Sequence, residues 1–247
     1  VAACVSKDRA GKELAEIGSL VEAGAVAFTD APRSIQNAEL MRRAFEYCLM
    51  FDKPILSHPE DLELSHDGIM HEGTISMLLG LEGLSVEAED VMTSRDLRLA
   101  EATHGRLHLL NVSSHSSVDL IRRVKSRGVG VTAGVCMYNL VLTDESLRTF
   151  DSNYKVDPPL RSQEHVEACL QGLKDGTLDV ISSAHAPRAS EKKMLELDQA
   201  PFGMVGLETL LGLVITKLIK PGHLDWTTAL EKLTINPARV LGVPKGT

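Results

Sequence analysis

Short apolar runs alternate along this chain with longer stretches of helical spacing, and that alternation limits the folds open to it. The runs are Ala2–Val5, Ala25–Phe28, Pro54–Ser57, Arg106–Val112, Val129–Ala133 and Leu178–Ser182. Apolar residues recur every three or four positions in Leu14–Ala23, Ala38–Phe51, Val86–His104, Ser117–Arg127, His165–Lys174, Val205–Ile219 and Thr227–Leu233. A strand buried on both faces has no polar side, so it reads as a continuous apolar run, the condition of a parallel sheet covered by helices. Strand, loop and helix in repetition give βαβ units. No G-x-G-x-x-G follows any of the runs, which disfavours a doubly wound nucleotide-binding sheet and favours an α/β barrel. The predicted strands end at Val5, Phe28, Ser57, Leu110, Thr132 and Ser182. Residues 59–85 form an insert punctuated by Gly68, Gly73, Gly80 and Gly83, and residues 1–247 read as one domain. Gly206 and Gly212 are expected where the Val205–Ile219 helix packs closely.

Charge removes several partners. The net charge of −8 argues against nucleic acid and anionic membrane, both of which need clustered Lys and Arg. Aromatic residues make up only 4% of the chain, too few for base-stacking platforms. No apolar run approaches the ~20 residues that cross a bilayer. Cys4, Cys48, Cys136 and Cys169 are scattered and form no C-x-x-C pair, so they read as reduced core cysteines of a cytoplasmic protein. The chain starts at Val1, and a segment upstream of it is expected.

Parallel barrels place their chemistry at the carboxyl ends of the strands. Those ends carry Asp30, His58, Asn111 and the pair Ala184-His185. A zinc hydrolase needs three or four His or carboxylate ligands converging there with one position open to water. His58, Asp30 and His185 are the candidate ligands. Each also has a structural reading: Asp30 as a turn or capping residue before Ala31-Pro32, His58 as the start of a capping loop, and His185 as a hydrogen-bonded strand-end histidine. Arg161, in the rigid turn Asp157-Pro158-Pro159-Leu160-Arg161, reads as an anion contact or a structural residue. The acidic stretch Glu82–Asp90 reads as a solvated helix face.

Seven segments in order resemble dihydroorotase of the bacterial type I form, across essentially the whole chain. They are Gly24–Asp30, Pro54–Asp61, Glu72-Gly73 before Ser76–Leu81, Val156–Arg161, Ala184–Pro187, Gly203–Thr209 and Thr234–Arg239. The resemblance implies a TIM-type (β/α)₈ barrel of the metal-dependent amidohydrolase kind, with two N-terminal strands and a His-x-His metal pair lying upstream of this segment. It implies zinc as cofactor and the ring closure of carbamoyl aspartate to dihydroorotate as the ancestral reaction. By the same resemblance His58 is a metal ligand. A carboxylate ligand is replaced by Ala31, an imidazole ligand by Asn111, and the proton-shuttling aspartate by Ala184. The substrate-contacting Asn-x-Asn-His becomes Cys136-Met137-Tyr138-Asn139, which leaves Asn111 and Asn139 as candidate substrate contacts. The resemblance thus implies a non-catalytic, homo-oligomeric dihydroorotase-like protein with a structural role beside aspartate carbamoyltransferase, binding zinc weakly or not at all. The alternative is an active zinc-dependent dihydroorotase or related cyclic-amide hydrolase with a shifted ligand set of Asp30, His58, His185 and the upstream His-x-His pair.

Overall fold

The computed structural model describes residues 1–244. Eight strands occur among the described residues: β1 (Ala2–Ala3), β2 (Ala27–Phe28), β3 (Ile55–Ser57), β4 (Met70–His71), β5 (Gly83–Leu84), β6 (Leu107–Leu109), β7 (Val131–Cys136) and β8 (Val180–Ser182). Six of them form one sheet in the order β1-β2-β3-β6-β7-β8. Every pair in it is parallel, with Ala3 opposite Phe28, Phe28 opposite Ile55, Ile55 opposite Leu107, Leu107 opposite Val131 and Gly134 opposite Val180. A doubly wound sheet reverses its strand order at a switch point. This sheet runs in chain order throughout, as the wall of a (β/α) barrel does, and its strands therefore all end on one side.

The helices follow from the same spacing. They are α1 (Ile17–Glu22), α2 (Ala38–Leu49), α3 (Leu62–Ser65), α4 (Thr74–Leu79), α5 (Glu87–Thr103), α6 (His115–Ser126) and α7 (Gln163–Lys174), followed by shorter C-terminal turns and helices. α2 begins where the Asn37 side chain accepts from the amides of Glu39 and Leu40, and it turns Leu40, Met41, Ala44, Phe45 and Cys48 inward. α2 packs on α5, α5 on α6 and α6 on α7, in the order of the strands they cover. Phe28, Phe45, Ile55, Leu97, Leu107, Leu109, Ile121 and Leu173 are all buried in the shared core. Among the described residues no helix is long and apolar enough to cross a membrane.

Several details differ from the sequence expectation. The insert contains a second, two-stranded parallel sheet, with Met70 opposite Gly83 and His71 opposite Leu84. Its strands are two residues each, too short for any periodicity to register. The predicted helix over Val205–Ile219 begins only at Leu210 and continues as a π-helix over Val214–Ile219. Gly206 does make a close approach: a Cβ there would lie 2.5 Å from the Ser183 carbonyl oxygen. Gly212 faces open space. The acidic stretch is not a solvated face throughout, because Glu89 is buried on α5.

The strand β6 carries a buried imidazole, His108, whose Nδ1 lies 2.9 Å from Thr132 Oγ1 on β7. Burial, with a smaller contribution from the Lys125 charge, pushes its pKa down to about 4. The folded state therefore favours neutral His108, and its contribution is complete above the unfolded value of ~6.5 and lost as pH falls toward 4. Urea unfolding at pH 7 and pH 5 should show His108→Gln losing less stability on acidification than the parent. The difference should be on the order of 1 kcal/mol per pH unit; equal losses would remove His108 from the acid response.

Candidate functional site

The end of β3 sets the first side chain of the site. Ser57 Oγ donates to Asp96 Oδ2 at 2.6 Å, fixing the strand end against α5, and the next residue is His58. His58 is 7% exposed, and its Nε2 is buried without a hydrogen-bond partner. Two carboxylates approach that nitrogen: Asp157 Oδ2 at 3.3 Å and Glu60 Oε2 at 3.6 Å. One ligand atom from each of the three residues lies within 4.8 Å of the others.

Local structure holds both carboxylates in place. Glu60 precedes Asp61, which caps α3 by accepting from the amides of Glu63 and Leu64. The Glu60 carbonyl accepts from Gln36 Nε2 at 2.9 Å. The Asp157 carbonyl accepts from the Tyr138 hydroxyl at 3.2 Å, and the Pro159 carbonyl accepts from Asn139 Nδ2 at 2.9 Å. Arg161, 3% exposed, closes the turn. It donates to Ser113 Oγ at 3.1 Å, to the Leu84 carbonyl and His71 Nδ1 at 3.3 Å, and to Glu89 at 3.4 Å. Glu89 in turn accepts from the amides of Ser113 and Ser114 at 2.9 Å, and also from the Ser113 hydroxyl. Arg161 is thus structural, and Asn139 is committed beneath the turn that carries Asp157.

Burial disfavours an imidazolium at His58, but the Asp157 and Glu60 carboxylates outweigh it and push the pKa up to about 10. Burial likewise opposes the charged form of Asp157, and His58 and Arg161 together hold that carboxyl below its usual range. The three groups form an ion triad when His58 is protonated. When Nε2 is deprotonated they present one nitrogen and two oxygens to a cation. Ligands on a tetrahedral ion with bonds of about 2.0–2.1 Å sit roughly 3.3 Å apart. The separations of 3.3 and 3.6 Å from Nε2 match that spacing, and Nε2 forms no hydrogen bond of its own, so the residues present fit Zn²⁺.

The other strand-end residues lie on the same side of the sheet but do not join this cluster. Asp30 and Ala31 line a narrow cavity together with His58. The Asp30 carboxylate, however, accepts from the amides of Val5 at 2.9 Å and Ser6 at 3.1 Å and from the Ser6 hydroxyl, tying the end of β2 to that of β1. Asn111, with φ +49°, accepts from Ser182 Oγ at 2.6 Å and bridges the ends of β6 and β8. Ala184, with φ +42°, packs its methyl against the apolar cluster of Met70, Cys136, Tyr138 and Leu160. His185 Nδ1 accepts from the amides of Gly206 and Leu207, both at 3.2 Å, which places the proton of the neutral ring on Nε2. Burial pushes the thiols of Cys48 and Cys136 up to about 12, leaving them unreactive.

Reading strand ends alone misses Glu60 and Asp157. Glu60 is two residues beyond His58, and Asp157 lies in the long loop between β7 and α7. The available signal was the His-x-Glu spacing and an aspartate fixed by Pro158-Pro159.

The chain matches the family described as dihydro-orotase-like over residues 2–117. It is 52% identical over 243 residues to a dihydroorotase of Pelotomaculum thermopropionicum, covering 98% of this chain and 57% of that protein. It is 47% identical over 243 residues to a dihydroorotase of Acetivibrio thermocellus, again covering 98% of this chain and 57% of the relative. The chain therefore spans about half the length of the curated relatives it matches. Among solved structures, an L-hydantoinase (dihydropyrimidinase) from Arthrobacter aurescens superposes with a TM-score of 0.82 at 24% identity, over 94% of this chain and 55% of that one. A dihydropyrimidinase from Brevibacillus agri gives 0.81 at 20% identity, over 94% and 54%. These two likenesses establish the barrel fold.

The loop that receives His185 supplies a test of this packing. Gly206→Ala would drive a methyl into the Ser183 carbonyl and should cost about 1–3 kcal/mol by urea unfolding. Gly212→Ala, in open space, should be neutral or slightly stabilising. Equal effects at the two positions would contradict the loop geometry.

Proposed function

Since the chain belongs to the dihydroorotase family, we propose that it forms part of a dihydroorotase-like protein of pyrimidine biosynthesis that has lost catalysis and acts as a structural partner of aspartate carbamoyltransferase. The observation that carries this reading is Ala184. It leaves β8 at the mouth of the sheet, where the family resemblance requires an aspartate, and its methyl rests on an apolar cluster. A methyl neither accepts nor returns a proton, and a missing acid–base group alone costs roughly 10²–10⁴ in rate. Asn111, at an expected imidazole position, is hydrogen-bonded to Ser182. Ala31 offers no donor atom from its side chain.

A Zn²⁺ held by His58, Glu60 and Asp157 would supply a Lewis acid at the end of β3. Proton transfer at the end of β8 would still lack a side chain. The shifted set of Asp30, His58 and His185 has less support, because Asp30 and the His185 Nδ1 are already occupied by backbone amides. The scaffold role needs the barrel exterior rather than its mouth, so loss of chemistry leaves it intact. Self-association into a homo-oligomer accompanies that role in this proposal.

The full-length protein should not interconvert carbamoyl aspartate and dihydroorotate above background, and it should co-purify with aspartate carbamoyltransferase of the same source. Ala31→Asp, Asn111→His and Ala184→Asp combined should recover more activity than any one of them, because residues that act as a unit are non-additive. Chelator-sensitive turnover by the unmodified protein would overturn the reading.

A further inference from the structure

We propose that His58, Glu60 and Asp157 bind one divalent metal ion, joining the end of β3 to the turn that precedes α7. This site differs from the strand-end ligand set that the family resemblance implies, sharing only His58 with it. The proposal is independent of the loss of catalysis, since a metal can be bound here whether or not turnover occurs.

Three observations converge on it. The first is the unpartnered Nε2 of His58, in a residue 7% exposed. No hydrogen bond is formed there although two carboxylates lie 3.3 and 3.6 Å away, a spacing that a shared cation would bridge. The second is the donor set: two carboxylates and a neutral imidazole carry a charge of −2, which a divalent ion neutralises. Oxygen and nitrogen donors at these separations suit Zn²⁺ without moving the backbone. The third is that the frame is already built. Tyr138 and Asn139 hold the Asp157–Pro159 backbone from below, and Arg161 anchors the turn to Glu89 and Ser113. Arg161 is engaged there and does not form a hydrogen bond or ion pair with Asp157 among the described residues. His58, Glu60 and Asp157 also line one cleft with Pro59, Leu84 and Ser85, so the cluster borders a cavity through which an ion could enter.

The experiment uses the full-length protein stripped with chelator and titrated with Zn²⁺ alone. Calorimetry and elemental analysis read the stoichiometry, and Co²⁺ substitution reads the ligand field. One equivalent should bind, with a zinc-dependent rise in Tm. Asp157→Asn and Glu60→Gln should each weaken binding at least ~10-fold, since even outer-shell losses cost ~10–100-fold. Both should abolish the zinc-dependent rise in Tm at matched zinc, while His185→Gln should leave binding unchanged. Melting without metal identifies a variant that fails to fold, in which case Glu60→Gln and the Co²⁺ spectrum decide. No saturable binding by the parent protein would overturn the proposal. So would binding that survives both carboxylate substitutions, or binding that is lost in His185→Gln.

Discussion

The buried pair of Arg161 and Glu89 organises the mouth of this barrel segment. Two charges taken out of water cost several kcal/mol each, and here further hydrogen bonds to both partners offset that cost. Arg161 reaches Ser113, Leu84 and His71 as well as Glu89, and Glu89 receives the amides that open α6. One guanidinium therefore connects the insert strands β4 and β5, helix α5, the exit from β6 and the turn that carries Asp157. Such a network contributes little net stability compared with apolar packing, but it fixes one arrangement of those elements. The position of Asp157 beside His58 follows from that arrangement.

The other strand ends show a second pattern. Asp30 clamps β1 to β2, Asn111 and Ser182 clamp β6 to β8, and His185 receives the amides of the Gly206 loop. These polar side chains at the strand ends are thus engaged in hydrogen bonds to neighbouring strands and loops. Asn111 and Ala184 both sit in the left-handed backbone region. Asn adopts it readily and Ala does so at a cost of about 1–2 kcal/mol. The surroundings therefore determine these conformations more than the residues' own preferences do.

The barrel was legible in the sequence because parallel strands are apolar on both faces and the covering helices keep a regular stripe. Phe28, Ile55, Leu107 and Leu109 sit where those runs placed them. His58 was legible because strand ends are a small set of positions. Glu60 was passed over because it lies beyond the strand end, and Asp157 because proximity across ninety-nine residues of chain, from 58 to 157, leaves no periodic trace. Glu89 was misread as solvent-facing, although it lies seven residues before Asp96 on the stripe that also buries Met92 and Ala100. Two carboxylates at that spacing among apolar residues mark a buried polar network. β4 and β5 were invisible because two residues cannot show alternation.

The central claim is that the metal-fitting cluster lies between β3 and the Asp157 turn, while Ala184 puts no carboxylate at the exit of β8. Diffraction from crystals of the full-length protein grown with Zn²⁺, collected above and below the zinc edge, tests it most directly. The account predicts one anomalous peak about 2.0–2.2 Å from His58 Nε2 and from carboxylate oxygens of Glu60 and Asp157, with none between Asn111 and Ala184. A peak coordinated by Asp30 or His185, or no peak beside His58, would contradict it.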